Sequence, residues 1–163
     1  MTTDLRGRTA LVTGGSRGIG AAVVRALADA GITVAINYRA RADTAARLAR
    51  SIDEAGGRAV AIAADVSQAD AVARLVERAQ AELGPIDILV NNAGIAITRG
   101  IDDLSEDDFD RTIAVNLKSV FLRYCPACGP GDGAASSTYP RVRPAAPARS
   151  GHIIMRRRPA SKE

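Results

Sequence analysis

Thr13-Gly14-Gly15-Ser16-Arg17-Gly18-Ile19-Gly20 decides how the rest of this chain is read. Before it runs Thr9-Ala10-Leu11-Val12, apolar enough for a short buried strand. After it Ile19, Val23 and Leu27 recur at helical spacing. A strand, a glycine-rich turn and a helix N-terminus in that order suit a phosphate. The first helical turn has unpaired N–H groups and the positive end of the macrodipole. Glycines let the backbone turn sharply and let a pyrophosphate approach without meeting a Cβ. The spacing is G-x-x-x-G-x-G rather than G-x-G-x-x-G. Read alone it is equally a tight strand-to-helix turn; the flanking strand and helix favour a dinucleotide site.

Outward from this stretch, apolar strands alternate with amphipathic helices. Helix one is expected to reach about Ala30, with Gly31 beyond its end. Strands follow at Thr33–Tyr38, Ala59–Ala64 and Ile86–Asn91. Asp43 can cap a helix carrying Ala45, Leu48, Ile52 and Ala55, which Gly56-Gly57 stops. Ser67 with Asp70, and Ser105 with Asp108, read as capping boxes. The last predicted helix turns Phe109, Ile113, Leu117, Val120 and Phe121 inward. Strands apolar along their whole length belong to a parallel sheet covered on both faces. The expected fold is therefore α/β, a Rossmann-type sheet with its ligand at the carboxyl ends of the strands and incomplete at its C-terminal side. Gly14–Gly20, Asn37–Arg39, Asp65–Val66 and Asn91–Gly94 all fall at those ends.

The charge of +4 is unevenly spread. From Arg123 onward eight basic residues face two acids, whereas the preceding residues carry 14 basic and 16 acidic groups. Six of seven prolines also lie beyond Cys125. Three parts are expected: 1–124, a dinucleotide-binding domain; 125–149, irregular and disordered; and 150–163, ending in a basic tail. No run spans a bilayer and no basic-then-apolar leader follows Met1, so a cytoplasmic protein without a membrane partner is expected. Cys125-Pro-Ala-Cys128 lacks a second ligand pair, so no metal site is assigned. Aromatic residues are only 3% of the chain, which argues against stacking on nucleic acid.

An NAD site usually places an acid at the end of the second strand, on the ribose 2′-hydroxyl. Here Asn37-Tyr38-Arg39 stands there. Arg17 in the turn and Arg39 at the strand end could both hold a 2′-phosphate, so NADP(H) is preferred, with NAD(H) kept as the alternative. The same arginines read equally as solvated surface groups. Asp65 could accept from an adenine amino group or cap a helix. Asn116, between Ile113 and Val120 on an apolar helix face, is either a functional amide or a structural one.

Thr13-Gly-x-x-x-Gly-Ile-Gly20, Asp65-Val66, Asn91-Asn-Ala-Gly94 and Val115-Asn116, in this order, resemble the short-chain dehydrogenase/reductase family. The likeness is to its classical type, similar to the 3-oxoacyl-carrier-protein reductases, and covers about residues 5–122. It implies an oxidoreductase moving hydride between NADP(H) and a small carbonyl or alcohol substrate. It assigns Gly14, Ser16, Arg17, Gly18, Ile19 and Gly20 to the pyrophosphate, Asp65 and Val66 to the adenine, and Asn92, Ala93 and Gly94 to the nicotinamide ribose region. Asn116 becomes the catalytic asparagine. A homo-oligomer is implied for intact relatives only.

The resemblance also implies a catalytic Ser and a Tyr-x-x-x-Lys. Tyrosine, with an ordinary pKa of about 10, needs a nearby cation to act near neutrality. Neither element is found. Tyr139 is followed by Pro140 and has Arg143 in the lysine place; Ala160-Ser161-Lys162 has Arg158 in the tyrosine place. Ser150–Met155 resembles the family's fifth strand. The expectation is a family member truncated or frame-altered beyond Tyr124 and inactive as written, the alternative being a non-catalytic dinucleotide-binding module.

Overall fold

A computed structural model describes residues 5–124, 143–144 and 154–156. Strand β1 (Thr9–Val12) lies at the centre of a parallel four-stranded core, between β2 (Thr33–Tyr38) and β4 (Ile88–Val90), with β3 (Ala59–Ala63) outside β2. All four residues of β1 are buried, because the strand has a neighbour on each edge and a helical layer on each face. The register places Leu11 beside Ala35 on one edge and Leu89 on the other.

The strands are apolar throughout, yet alternate residues serve different cores. Ala10, Val12, Val34 and Ile36 meet Val24 of α1 (Gly18–Asp29) and Leu48 and Ile52 of α2 (Ala42–Glu54). Leu11, Ala35 and Ile62 meet Val72, Leu75 and Ala79 of α3 (Ala69–Leu83) on the opposite face. Side chains as large as Ile36 and Leu75, fully buried, each contribute about 1.5–3 kcal/mol. At the other ends of β1 and β4, Asp87 accepts from Arg8 Nη1 at 2.8 Å and from the Thr9 amide at 3.1 Å, which pins the two strands in register.

Beyond β4 come α4 (Glu106–Ile113), a π-helical turn (Ala114–Lys118) and α5 (Ser119–Tyr124). Ser105 and Asp108 form the expected capping box of α4. The other capping expectations are corrected. Asp43 lies inside the first turn of α2, where it faces the helix dipole without capping. Ser67 points back to Asp65, leaving Gln68 at the N-cap of α3 with no side-chain cap. The inward face of the last helix is corrected too. Phe109, Ile113, Leu117 and Phe121 are 38–64% exposed, while Val115 and Ser119 are buried and Leu122 packs on the α3 core. A row at four-residue spacing stays in line across a π turn, and spacing alone does not say whether it faces the sheet. Likewise Ile19 is exposed, because Ala21 and Val24 form the buried face of α1.

On the free edge of β4 runs β6 (Ile154–Arg156), antiparallel to it, with β5 (Arg143–Pro144) outside. The segment that resembles a fifth strand thus meets β4 in the sense opposite to the parallel core. An antiparallel edge on such a sheet is a common arrangement. Cys125, Cys128, Tyr139, Arg158, Ser161 and Lys162 lie outside the described residues, as does nearly all of 125–149. Among the described residues no helix is long and apolar enough to cross a membrane, and no cluster of His, Cys, Asp and Glu could hold a metal ion.

Candidate functional site

Because the four core strands are parallel, their carboxyl ends share one edge, and a cavity of about 360 Å³ opens there. Gly14, Ser16, Arg17, Gly18, Ile19, Gly20, Arg39, Asp65, Val66, Asn92, Ala93 and Gly94 all line it. These are the twelve cofactor positions expected from the sequence. A second hollow of about 520 Å³ lies where α1 and α2 end, lined in part by Arg6, Arg25 and Gly56. The negative ends of two helix dipoles face it, which makes it the poorer anion site despite its arginines.

The glycine turn is shaped by contacts that only glycine permits. Gly14 has φ +62° and its missing Cβ would sit 3.0 Å from the Ala93 Cα. A Cβ on Gly20 would strike the Gly14 carbonyl oxygen and come within 2.5 Å of Asn92 Nδ2. At Gly18, with φ +55°, nothing stands within 4 Å, so the backbone faces open space. Arg17 is the N-cap of α1 and makes no side-chain cap, so the first-turn amides open toward the cavity without a protein side chain across them. That is an anion cradle, and a pyrophosphate fits it.

Thr13 and Asn92 lock this turn to the loop after β4. The Thr13 hydroxyl oxygen accepts from the amides of Asn92 and Ala93, each at 3.1 Å, and itself donates to the Val90 carbonyl at 3.3 Å. Asn92 Nδ2 donates to the Thr13 and Gly14 carbonyls, each at 3.0 Å. Its amide nitrogen is therefore committed to the turn. Asn116 does not line the cavity. Its side chain instead pairs with the backbone of Ile95, which does, and it sits inside the π turn that interrupts the helix. Such turns often mark functional positions.

Arg17, Arg39 and Arg41 line the cavity, and among its lining residues Asp65 is the one carboxylate. Burial alone would raise the Asp65 carboxyl. The hydroxyl and amide of Ser67 and the Arg39 cation outweigh it and hold the group below its ordinary value. Arg39 Nη1 stands 3.8 Å from Asp65 Oδ2, a pair too exposed to contribute much to stability. Asn37, Tyr38, Ala40, Arg41, Ala64, Ile95 and Val115 also line the cavity and were not singled out as site residues from sequence. Arg41 was within reach, since it follows Arg39 by two residues. Val115 and Ile95 carry no polar signal and are placed only by the fold.

The model of the short chain dehydrogenase family matches residues 8–126. Among curated relatives, 3beta-hydroxysteroid dehydrogenase 1 of Eggerthella lenta is 44% identical over 121 residues, 74% of this chain and 46% of that protein. Two solved structures cover 74% of this chain and 49% of their own, each with a TM-score of 0.71. One is a short-chain dehydrogenase/reductase from Serratia marcescens, 47% identical. The other is a short chain dehydrogenase from Burkholderia cenocepacia in complex with NADP, 46% identical. The chain spans about half the length of the curated relatives it matches.

Proposed function

The chain belongs to the short chain dehydrogenase family, and on that footing we propose that it binds NADP(H) in the cavity at the carboxyl edge of its sheet. One observation carries the reading: the uncapped N-terminus of α1 and three arginines open on the same cavity, with Asp65 as its one carboxylate. The Gly14–Gly20 turn would hold the pyrophosphate. Arg17 and Arg39 would take the 2′-phosphate by charge-assisted bonds. Asp65, ionised at neutral pH, can accept from the adenine amino group. Asn92, Ala93 and Gly94 would border the nicotinamide ribose.

When bound, the cofactor supplies hydride, in this family's chemistry to or from a small carbonyl or alcohol. Asn116 would serve that chemistry as the asparagine of the site, here through its hold on Ile95. Tyr38, Tyr124 and Tyr139 are the only tyrosines, and none has a lysine four residues on. The sequence thus favours a second feature of the reading, in which the 163-residue chain binds dinucleotide without turning over a carbonyl substrate.

The test is titration of the full chain with NADPH and NADH, followed by calorimetry or cofactor fluorescence. NADPH should bind at least about tenfold more tightly. Arg17→Ala and Arg39→Ala should each weaken NADPH about tenfold and leave NADH nearly unchanged, as loss of one charge-assisted bond requires. Equal affinity for both cofactors would overturn the NADP preference. No binding of either at millimolar concentration would overturn the site itself, and NADPH oxidation with a carbonyl substrate would overturn binding without turnover.

A further inference from the structure

Asn37 is 2% exposed and lies at the point where three strand ends meet. Its backbone carbonyl accepts from the Gly15 amide at 2.9 Å. Its side-chain Oδ1 accepts from the Gly14 amide at 3.4 Å. On the other side Nδ2 faces the carbonyls of Ala64 at 3.1 Å and of Ile62 and Tyr38 at 3.4 Å. One amide therefore ties the glycine turn after β1 to the segment after β3, across the end of β2. Three carbonyls on one side and an N–H on the other also fix which way the amide points.

The two things it ties are the two walls of the cavity. Gly14 leads into the turn that ends at Gly20, and Ala64 leads into Asp65 and Val66. Only an uncharged group that accepts on one edge and donates on the other serves both. A carboxylate there would keep the Gly14 bond but press its charge on three carbonyl oxygens. An apolar isostere would strand a buried N–H and a buried C=O.

We propose that Asn37 is a positioning residue for the dinucleotide, setting the separation between the pyrophosphate turn and the adenosine wall. This rests on the reading that the cavity takes NADP(H). A ligand that spans both walls depends on their separation, whereas one that rests on the adenosine wall alone does not. The probes are therefore NADPH and adenosine 2′-monophosphate, titrated against the full chain and against Asn37→Asp.

The variant should lose about tenfold or more in NADPH affinity, as expected for a lost buried bond and a misplaced charge, and under about threefold for adenosine 2′-monophosphate. Amide hydrogen exchange at Ala64, whose N–H bonds the Tyr38 carbonyl on the side where the amide donor is lost, measured without ligand, should quicken by a similar factor. Where this variant does not fold, Asn37→Thr, which keeps one donor and suits a strand, should show the same split in smaller measure. Equal weakening of both ligands would make Asn37 merely structural and overturn the proposal, as would NADPH affinity within threefold of the unsubstituted chain. If the unsubstituted chain binds neither ligand, the NADP(H) reading fails instead. The exchange rates still judge the tie itself, and an unchanged rate at Ala64 would overturn it.

Discussion

Asn116 grips Ile95 at two points: Oδ1 accepts from its amide at 2.8 Å and Nδ2 donates to its carbonyl at 2.9 Å. The pair is separated by 21 positions and joins the π turn after α4 to the loop that follows β4. Gly94 lies beneath it, where a Cβ would stand 3.4 Å from Asn116 Oδ1. The loop is thus held by a side chain from another element rather than by regular backbone pairing. Asn116→Ala should free it. Two partly solvated bonds are worth about 1 kcal/mol together, so melting should fall by about 2–4 °C. Exchange at the Ile95 amide should rise while exchange in β1 stays slow. An unchanged Ile95 amide would show that something else holds the loop.

Gly20 and Gly18 are both in the turn, but for different reasons, and substitution should separate them. Gly20→Ala drives a Cβ into the Gly14 carbonyl and against Asn92 Nδ2. Neither can yield without moving the glycine turn. The expected cost is about 1–3 kcal/mol of stability, with loss of measurable NADPH binding. Gly18→Ala meets no atom within 4 Å and suffers only the left-handed strain of φ +55°, about 1–2 kcal/mol. Its NADPH affinity should fall less. Thermal melts beside NADPH titrations of both variants decide the order, and a tighter-binding Gly20→Ala would refute the packing argument.

How far the sequence carried these conclusions depends on the kind of residue. The four-stranded core was legible because β1 to β4 are short apolar runs between helical repeats, and glycines mark the turn itself. Ser105 and Asp108 showed the start of α4 because a capping box is local. The sequence places Asn37 at the ligand edge and shows that no acid stands there, but not what its side chain does. Its four side-chain contacts come from positions 14, 38, 62 and 64, which no local pattern brings together. Ser67 misled, because a serine two residues after an aspartate can bond forward to a helix or back to the carboxylate, and here it bonds back at 2.7 Å. Phe109 to Phe121 misled for a related reason. An apolar row says that a helix has an apolar face, not what covers that face.

The Ser67 bond has a pH signature. Burial pushes the Asp65 carboxyl up, and the Ser67 hydroxyl and amide, helped by Arg39, pull it lower still than burial raises it. A carboxyl whose folded pKa lies below its unfolded value stabilises the fold above the ordinary carboxylate pKa of about 4. That contribution is lost as pH falls from there through the folded value. Ser67→Ala removes the strongest of the lowering contacts, so the carboxylate resonance of Asp65 should titrate at higher pH than in the unsubstituted chain. The melting temperature at neutral pH should drop slightly, since Asp65 is over a third exposed, and the two proteins should converge in strong acid. A downward shift of the Asp65 titration in the variant would contradict the assignment.

Phe109, Ile113, Leu117 and Phe121 make a row along α4, the π turn and α5, with Phe109 and Phe121 57% and Leu117 64% exposed. None of the four lines the cavity. Contiguous apolar surface of this kind binds hydrophobic dyes and promotes association, each buried Å² being worth about 25 cal/mol. The unsubstituted chain should therefore enhance anilinonaphthalene sulfonate emission and sediment with a concentration-dependent mass. Leu117→Lys with Phe121→Ser should abolish both effects. Because these side chains bury little within the chain, the double variant should melt within about 0.5 kcal/mol of the original and keep its NADPH affinity. A chain that sediments as a sharp monomer and binds no dye would show the row to be inert.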